Sequence, residues 1–217
     1  TVRLVASYTD VNTDSKLAYL EIRVEDGTCV CPAKVNSSPE TWLNFMCHNL
    51  GATYDVISSS QIAIRAHHGD WYRFGATAVS MENTPYHDSN NNWDDAYYSN
   101  GDWANDGTPP CPAGWRIPTK IECEGVRDNN IWLVASGWSG FDAVKQVGNY
   151  LYLPAAGRRL FDNDGVLALR GVHGSYWTSS GYSATNSWYM SFNDNTPAVD
   201  ATPNRRYGYS VRCVSAE

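Results

Sequence analysis

The chain has 217 residues, 42% of them hydrophobic and 13% aromatic, which is enough for one large domain with at most a small extra module and argues against disorder. Its net charge of −7 argues against nucleic acid and anionic lipid as partners, because no basic stripe is present to neutralise phosphates. No apolar run reaches the roughly 18–20 residues that span a bilayer, and a start at Thr1 reads as a mature or trimmed chain.

In chain order, residues 1–30 predict a half-buried hairpin. "RLVASY" and "KLAYLEIRVED" flank the turn-rich "TDVNTDS", and Leu20, Ile22 and Val24 alternate with Glu21 and Arg23. "SSPETWLNFMCHNLGA" fits two readings. Ser37 or Ser38 before Pro39 and Glu40 resembles a helix start and Gly51 a stop, while Trp42, Leu43, Phe45 and Met46 suit a buried helix or a buried strand. Residues 53–110 lack periodicity and predict long loops held by aromatic plugs. In "GWRIPTKIECEGVRDNN", Thr119 and Glu122 form a capping box, Ile121 and Val126 supply part of a buried stripe, and Asn129-Asn130 end the helix. Short strands punctuated by glycine follow, with a hairpin at "FDNDG". One helix beside short antiparallel strands and long loops is an α+β layout.

Six cysteines, at 29, 31, 47, 111, 123 and 213, suit up to three disulfides in an oxidising compartment better than a zinc site. His67-His68 with Asp70 read as exposed loop residues, since neighbouring histidines in a strand point apart. His48 beside Cys47 does not form a thiolate–imidazole pair, and His173 either lines a ligand surface or caps a loop. "DNDG" lacks the bidentate Glu of a calcium loop, so no metal or other cofactor is expected. Asp94, Asp95, Asp194 and Asp200 read as solvated loop acids rather than glycosidase carboxylates.

"CPAGWRIPTKIECEGV", "LPAAGRRL", "GSYWTSS", "SWYMSFN" and "RRYGYSVRCV", preceded by "FMCHNLGA" and "GDWYRFG", stand in an order that resembles the Fibrobacter succinogenes major paralogous domain over residues 29–217. "GWRIPTKIECE" is also similar to a helix start in the formylglycine-generating-enzyme group, a branch of the C-type lectin fold, with Cys123 where a Trp is usual. The resemblance implies a C-type lectin-like fold over 31–217 following the 1–30 hairpin. It favours a Cys111–Cys213 disulfide, with Cys47 paired to Cys29 or Cys31 and the leftover cysteine meeting Cys123 or both free. The calcium-dependent sugar triplet of typical C-type lectins is not found. An oxidase of the formylglycine-generating type needs a reactive cysteine pair near the C-terminal core, where only Cys213 occurs, so the expectation is a protein without enzymatic activity.

The same branch includes the variable proteins of diversity-generating retroelements, whose C-terminal surface changes while the scaffold stays fixed. By that resemblance Tyr182, Ser183, Ser187, Trp188, Tyr189, Ser191, Asn193, Asp194, Asn195, Asp200 and Asn204 lie at or near a display surface spanning about 172–206. The composition agrees, since Tyr and Trp give area at small entropic cost and Ser, Gly and Asn give adaptable hydrogen bonds. Alternation in "SWYMSFN" puts Trp188, Met190 and Phe192 on one face and Tyr189, Ser191 and Asn193 on the other. Met190, Phe192 and Trp177 read as core, Trp188 as core at the strand edge, and Tyr176 fits either side. The expected function is extracellular recognition of a protein or glycan ligand on a cell or phage-host surface. A fixed adhesin, pilus-tip subunit or carbohydrate-binding module is the alternative.

Overall fold

Hydrophobic alternation and turn chemistry resolve into fourteen strands and one helix among the described residues of a computed structural model. It describes residues 2–9, 15–22, 30–52, 68–76, 101–103, 110–135, 138, 143–162 and 165–216. The sequence readings at His67, Asp94, Asp95, Asn163, Asp164 and Cys29 lie outside them.

The chain divides into two units, Thr1–Val30 and Cys31–Glu217. In the first, β1 (Val2–Thr9) and β2 (Ser15–Ile22) pair antiparallel from Val2 opposite Ile22 to Thr9 opposite Ser15.

The second unit begins its ladder with β3 (Val30–Ser37) and β4 (Glu40–Met46), joined by a turn at Ser38-Pro39. The helix-start reading of this stretch does not hold. Tertiary pairing decides the outcome, because β4 lies between β3 and β14 (Val214–Ser215), and β14 then pairs with β5 (Trp115–Arg116). One disulfide, Cys31–Cys47, spans the β3–β4 hairpin, and a second, Cys111–Cys213, ties the approaches to β5 and β14. Cys123 is a free, buried thiol.

Helix α1 (Lys120–Asn129) starts where the capping box predicts. The Thr119 side chain accepts from the Glu122 amide, and the Glu122 carboxylate accepts from the Thr119 amide at 2.8 Å. Arg116 grips the same carboxylate with both terminal nitrogens, at 2.8 and 2.6 Å. At the other end Asn129 and Asn130 donate to the backbone carbonyls of Val35 and Lys34, at 3.1 and 2.7 Å. The buried residues are Cys123 and Val126, one turn apart, whereas Ile121 is 76% exposed. At about 100° per residue Ile121 lies on the far side from that pair, so it contributes nothing to the buried stripe.

Strands β6 (Trp132–Val134), β7 (Val144–Val147) and β8 (Leu151–Pro154) form a meander. β9 (Arg158–Arg159) and β10 (Leu167–Ala168) make the hairpin around "FDNDG", with Gly165 at φ +72° in its turn. Then β11 (Gly174–Gly181), β12 (Ser187–Phe192) and β13 (Ala198–Asp200) form an antiparallel sheet. The secondary structure is thus α+β, dominated by antiparallel strands.

This sheet packs against core residues on both faces and is only partly covered on the face that carries Tyr189, Ser191 and Asp200. Trp177 is fully buried, stacks on Tyr209 at 4.4 Å and meets Phe74 edge-on at 5.5 Å, within a core that also holds Met46, Tyr72, Trp103, Ile117 and Val211. Its indole donates to the Tyr72 carbonyl at 2.8 Å. On the other face Tyr176 stacks on Phe192 at 5.8 Å, and Phe192 meets Trp132 at 5.7 Å. Gly174 lies against the Phe192 ring, where a Cβ would overlap ring carbons. Met190, Phe192 and Trp177 are therefore core, and Tyr176, which alternation left open, is core too.

A buried polar network closes the unit. Arg212 donates to the Asn49 side-chain oxygen at 3.0 and 2.7 Å and to the Met46 carbonyl at 2.9 Å. Asn49 donates in turn to the His68 carbonyl and the Tyr176 hydroxyl, at 2.9 and 3.1 Å. His68 is only 1% exposed, and its Nδ1 accepts from Arg170 at 2.8 Å. The exposed-loop reading of this histidine is corrected: a buried ring needs a partner, and Arg170 supplies one.

Candidate functional site

The residues that the sequence singled out fall into three groups around β12. The first sits on the turn between β11 and β12. Tyr182 is 63% exposed, and its ring stands edge-on to the half-buried Trp188 at 5.6 Å. The Lys120 ammonium lies 4.5 Å from the centre of the Trp188 ring and also pairs with Glu124 at 2.8 Å. The turn is held by its own bonds. Tyr182 and Ser183 donate backbone N–H groups to the Asn186 carbonyl, and the Ser183 hydroxyl accepts from the Thr185 and Asn186 amides. Asn204 is bridged to Asn186.

Ser187 departs from the expected surface. It is fully buried, because the 203–205 segment covers it: the Ser187 amide donates to the Pro203 carbonyl, and Arg205 bonds back to the carbonyls of Thr185 and Asn186. The register also jumps here, with Trp177 opposite Tyr189 but Gly181 opposite Ser187. Such a bulge interrupts the simple in–out count.

The second group lies along the strand. Tyr189 pairs across the sheet with Trp177 on one side and Asp200 on the other, and its ring is 5.2 Å from that of Tyr209. It shares a face with the buried Trp177, so its ring is half-buried rather than fully outward. Ser191 stands between Ser175 and Ala198 and is likewise half-buried. Asp200 is exposed on the edge strand.

The third group is the turn after β12. Asn193 accepts from the Asn195 amide at 2.9 Å, and the carbonyls of Asp194 and Asn195 accept from Lys145 at 2.9 and 3.2 Å. Asp194 and Asn195 are exposed, Asn193 half-buried. This turn and the Tyr182 turn lie at opposite ends of a strand about 20 Å long, so no single small ligand reaches both.

Several residues at this surface were not singled out from sequence. Tyr207 stacks on Tyr209 at 5.8 Å and meets Phe161 edge-on at 4.8 Å. Arg158 lies over the Tyr207 ring at 5.3 Å, and Arg206 over Phe161 at 4.1 Å. Each belongs to an Arg-Arg doublet whose other member is buried over a core aromatic: Arg159 over Trp71 at 4.5 Å and Arg205 over Phe74 at 4.6 Å. The doublets were the available signal, since neighbouring residues of an extended chain point to opposite sides.

His173 is half-buried beside this group. Burial holds it below its ordinary pKa, Arg158 pushes it the same way, and Asp194 opposes with less effect. Burial likewise pushes the Cys123 thiol up, so it carries no reactive thiolate at neutral pH. Among the described residues no group of three or more His, Cys, Asp or Glu side chains could hold a metal ion. Nor is any helix among them long and apolar enough to cross a membrane. Two disulfides fit an oxidising compartment.

The arrangement defines an α+β protein with a strand-and-turn surface of aromatic and polar side chains. A family described as a domain of unknown function, DUF8237, matches residues 139–214, less than half of the chain. The matched segment contains β7 to β13 and ends within β14, and so takes in all three groups of candidate residues. No curated protein and no solved structure matches the chain.

Proposed function

We propose that this chain is an extracellular recognition protein, without catalytic activity, whose second unit has a C-type lectin-like fold of the formylglycine-generating-enzyme branch. The observation that carries the reading is the Tyr182–Trp188–Lys120 cluster on a self-bonded turn: a large, exposed aromatic surface on a rigid support. Aromatic anchors fixed before binding keep the entropic cost of recognition low. Tyr189, Ser191 and Asp200 extend the surface along the sheet, with Trp177 buried beside Tyr189 on the same face and Met190 and Phe192 buried on the opposite face as support. This division between support and display suits the variable protein of a diversity-generating retroelement on a bacterial surface or phage particle, with an unidentified protein or glycan as ligand. A fixed adhesin, pilus-tip subunit or carbohydrate-binding module is the second reading, favoured by the many hydrogen bonds that tie the turn residues to one another. Oxidase chemistry lacks support, since Cys213 is bound in a disulfide and Cys123 is buried.

The test is binding of fluorescently labelled protein to bacterial cells by flow cytometry. Alanine at Tyr182, Tyr189 and Asn193 lowers binding with unchanged thermal unfolding if the surface recognises a ligand. Undiminished binding by all three variants refutes the reading. Sequencing the encoding locus separates the two versions: a template repeat with adenines at these codons beside a reverse-transcriptase gene identifies the variable protein.

A further inference from the structure

We infer that the Arg158–Phe161–Arg206–Tyr207 cluster is a binding site for the carboxylate and apolar ring face of an acidic sugar. This assignment rests on the recognition reading above and names the class of ligand for a part of that surface outside the candidate residues read from the sequence.

Three observations lead to it. The first is the side chains themselves. Tyr207 and Phe161 meet edge-on at 4.8 Å and form a half-exposed aromatic wall, with Arg158 against one ring and Arg206 against the other. Planar guanidinium groups match a carboxylate with two parallel N–H···O bonds, and a neighbouring aromatic ring covers the C–H face of a sugar. Each guanidinium loses less freedom on binding because it is already stacked.

The second is unmet charge. Among the described residues no carboxylate pairs with Arg158; its guanidinium bonds the Tyr209 hydroxyl, and its Nε finds no acceptor. Arg158 thus brings a positive charge that no carboxylate among the described residues answers. The titration of nearby groups reflects it. At His173 the push from Arg158 outweighs the opposing pull of Asp194, and burial followed by the repulsion of Arg170 lowers Arg159 to about 10.

The third is support from below. The inner partners Arg159 and Arg205 lie buried over Trp71 and Phe74, and Tyr207 rests on Tyr209, itself stacked on Trp177. The outer guanidiniums thus stand on core elements rather than on a free loop. Free phosphate-rich polymers fit poorly, since the rest of the chain is acidic and a long polyanion would meet that charge. A single carboxylate on a saccharide meets Arg158 without that repulsion.

The probes are immobilised oligosaccharides ending in glucuronic acid or N-acetylneuraminic acid, their methyl esters, and poly-glutamate, measured by biolayer interferometry with the full chain. The assignment requires binding to an acidic saccharide, at least tenfold weaker binding to its ester, and a similar loss in Arg158→Gln and in Arg206→Gln. Arg158→Lys should recover only part, having charge without the fork, and Tyr207→Phe should retain what Tyr207→Ala loses. Equal binding of acid and ester overturns the assignment, and so does poly-glutamate binding as tightly and through the same residues. If no saccharide binds while cells are still recognised through Tyr182 and Tyr189, the assignment falls and the recognition reading stands. Should Arg158→Gln fail to fold, the acid–ester comparison on the unaltered chain still decides.

Discussion

Replacing the Cys111–Cys213 disulfide by an alanine pair will destabilise the protein more than the same change at Cys31–Cys47. The two bridges close separate loops, with sequence separations of 102 and 16 residues. Loop closure restricts the unfolded chain by an amount that grows with the logarithm of loop length, giving about 4.7 kcal/mol for the long loop and about 3 kcal/mol for the short one. Cys31, Cys47 and Cys213 are buried and Cys111 is half-buried, so the packing loss from alanine falls more heavily on the short bridge and offsets part of the loop-closure difference. Loop closure alone gives a difference of about 1.7 kcal/mol, and the long bridge should keep the larger share of the loss. Urea unfolding followed by tryptophan fluorescence under non-reducing conditions reads it as the unfolding free energy extrapolated to water, with the slope rising as each cross-link is removed from the unfolded chain. An equal loss from the two pairs, or a larger one from the short loop, would refute the entropic account. The cost would then lie in native contacts of the β3–β4 hairpin.

Trp177→Ala should cost about 3–5 kcal/mol, since it empties a fully buried indole site and removes one of two donors to the Tyr72 carbonyl, leaving the Tyr209 amide; thermal unfolding measures it. Gly174→Ala should cost about 1–3 kcal/mol by forcing the Phe192 ring aside, and Phe192→Leu in the same chain should recover part of the loss in the urea midpoint. Glu122→Ala should cost about 1 kcal/mol near neutral pH through loss of the helix cap. Burial alone would raise the Glu122 pKa, but bonds from Arg116 and then Thr119 hold it below the ordinary value. A carboxylate depressed on folding stabilises above its unfolded pKa of about 4.3 and loses that contribution as pH falls through the folded value. The difference between wild type and Glu122→Ala in urea midpoint should therefore shrink progressively below that value, and a constant gap down to strong acid would refute it.

How legible this structure was in its sequence depended on whether the deciding forces were local. The Thr119–Glu122 box and the strand pair that flanks "FDNDG" are set within a few residues, and both form where the residues indicate. Alternation identified Met190 and Phe192 as buried because a strand against a core has period two. Glu40–Met46 could not be settled that way, since its state depends on pairing with β3 and with a strand from the chain's far end. Ser187 and Tyr189 were misjudged for a related reason. Segments 203–205 and 207–209 come from later in the chain and cover part of the face that alternation turned outward. His68 depended on Arg170, 102 residues away. Of the candidate site, the exposed tip at Tyr182 was legible from composition, while the Arg158 and Arg206 cluster appears only when the two doublets are brought to one surface.

Those doublets bear on how the strand chooses its alignment. A one-residue slip of a strand exchanges its two faces. At Arg158-Arg159 the exchange would leave an arginine at one of the two places while bringing Gly157 or Leu160 to the other, so at the shared place the side chain alone does not distinguish the native register from its neighbour. Discrimination there must come from elsewhere: from Gly165, whose positive φ fixes the turn, and from the backbone bonds that Arg159 exchanges with Gly208. Replacing only the inner or only the outer arginine with an apolar residue would make the two faces unlike, and would turn a chemically ambiguous strand into one that states its own alignment.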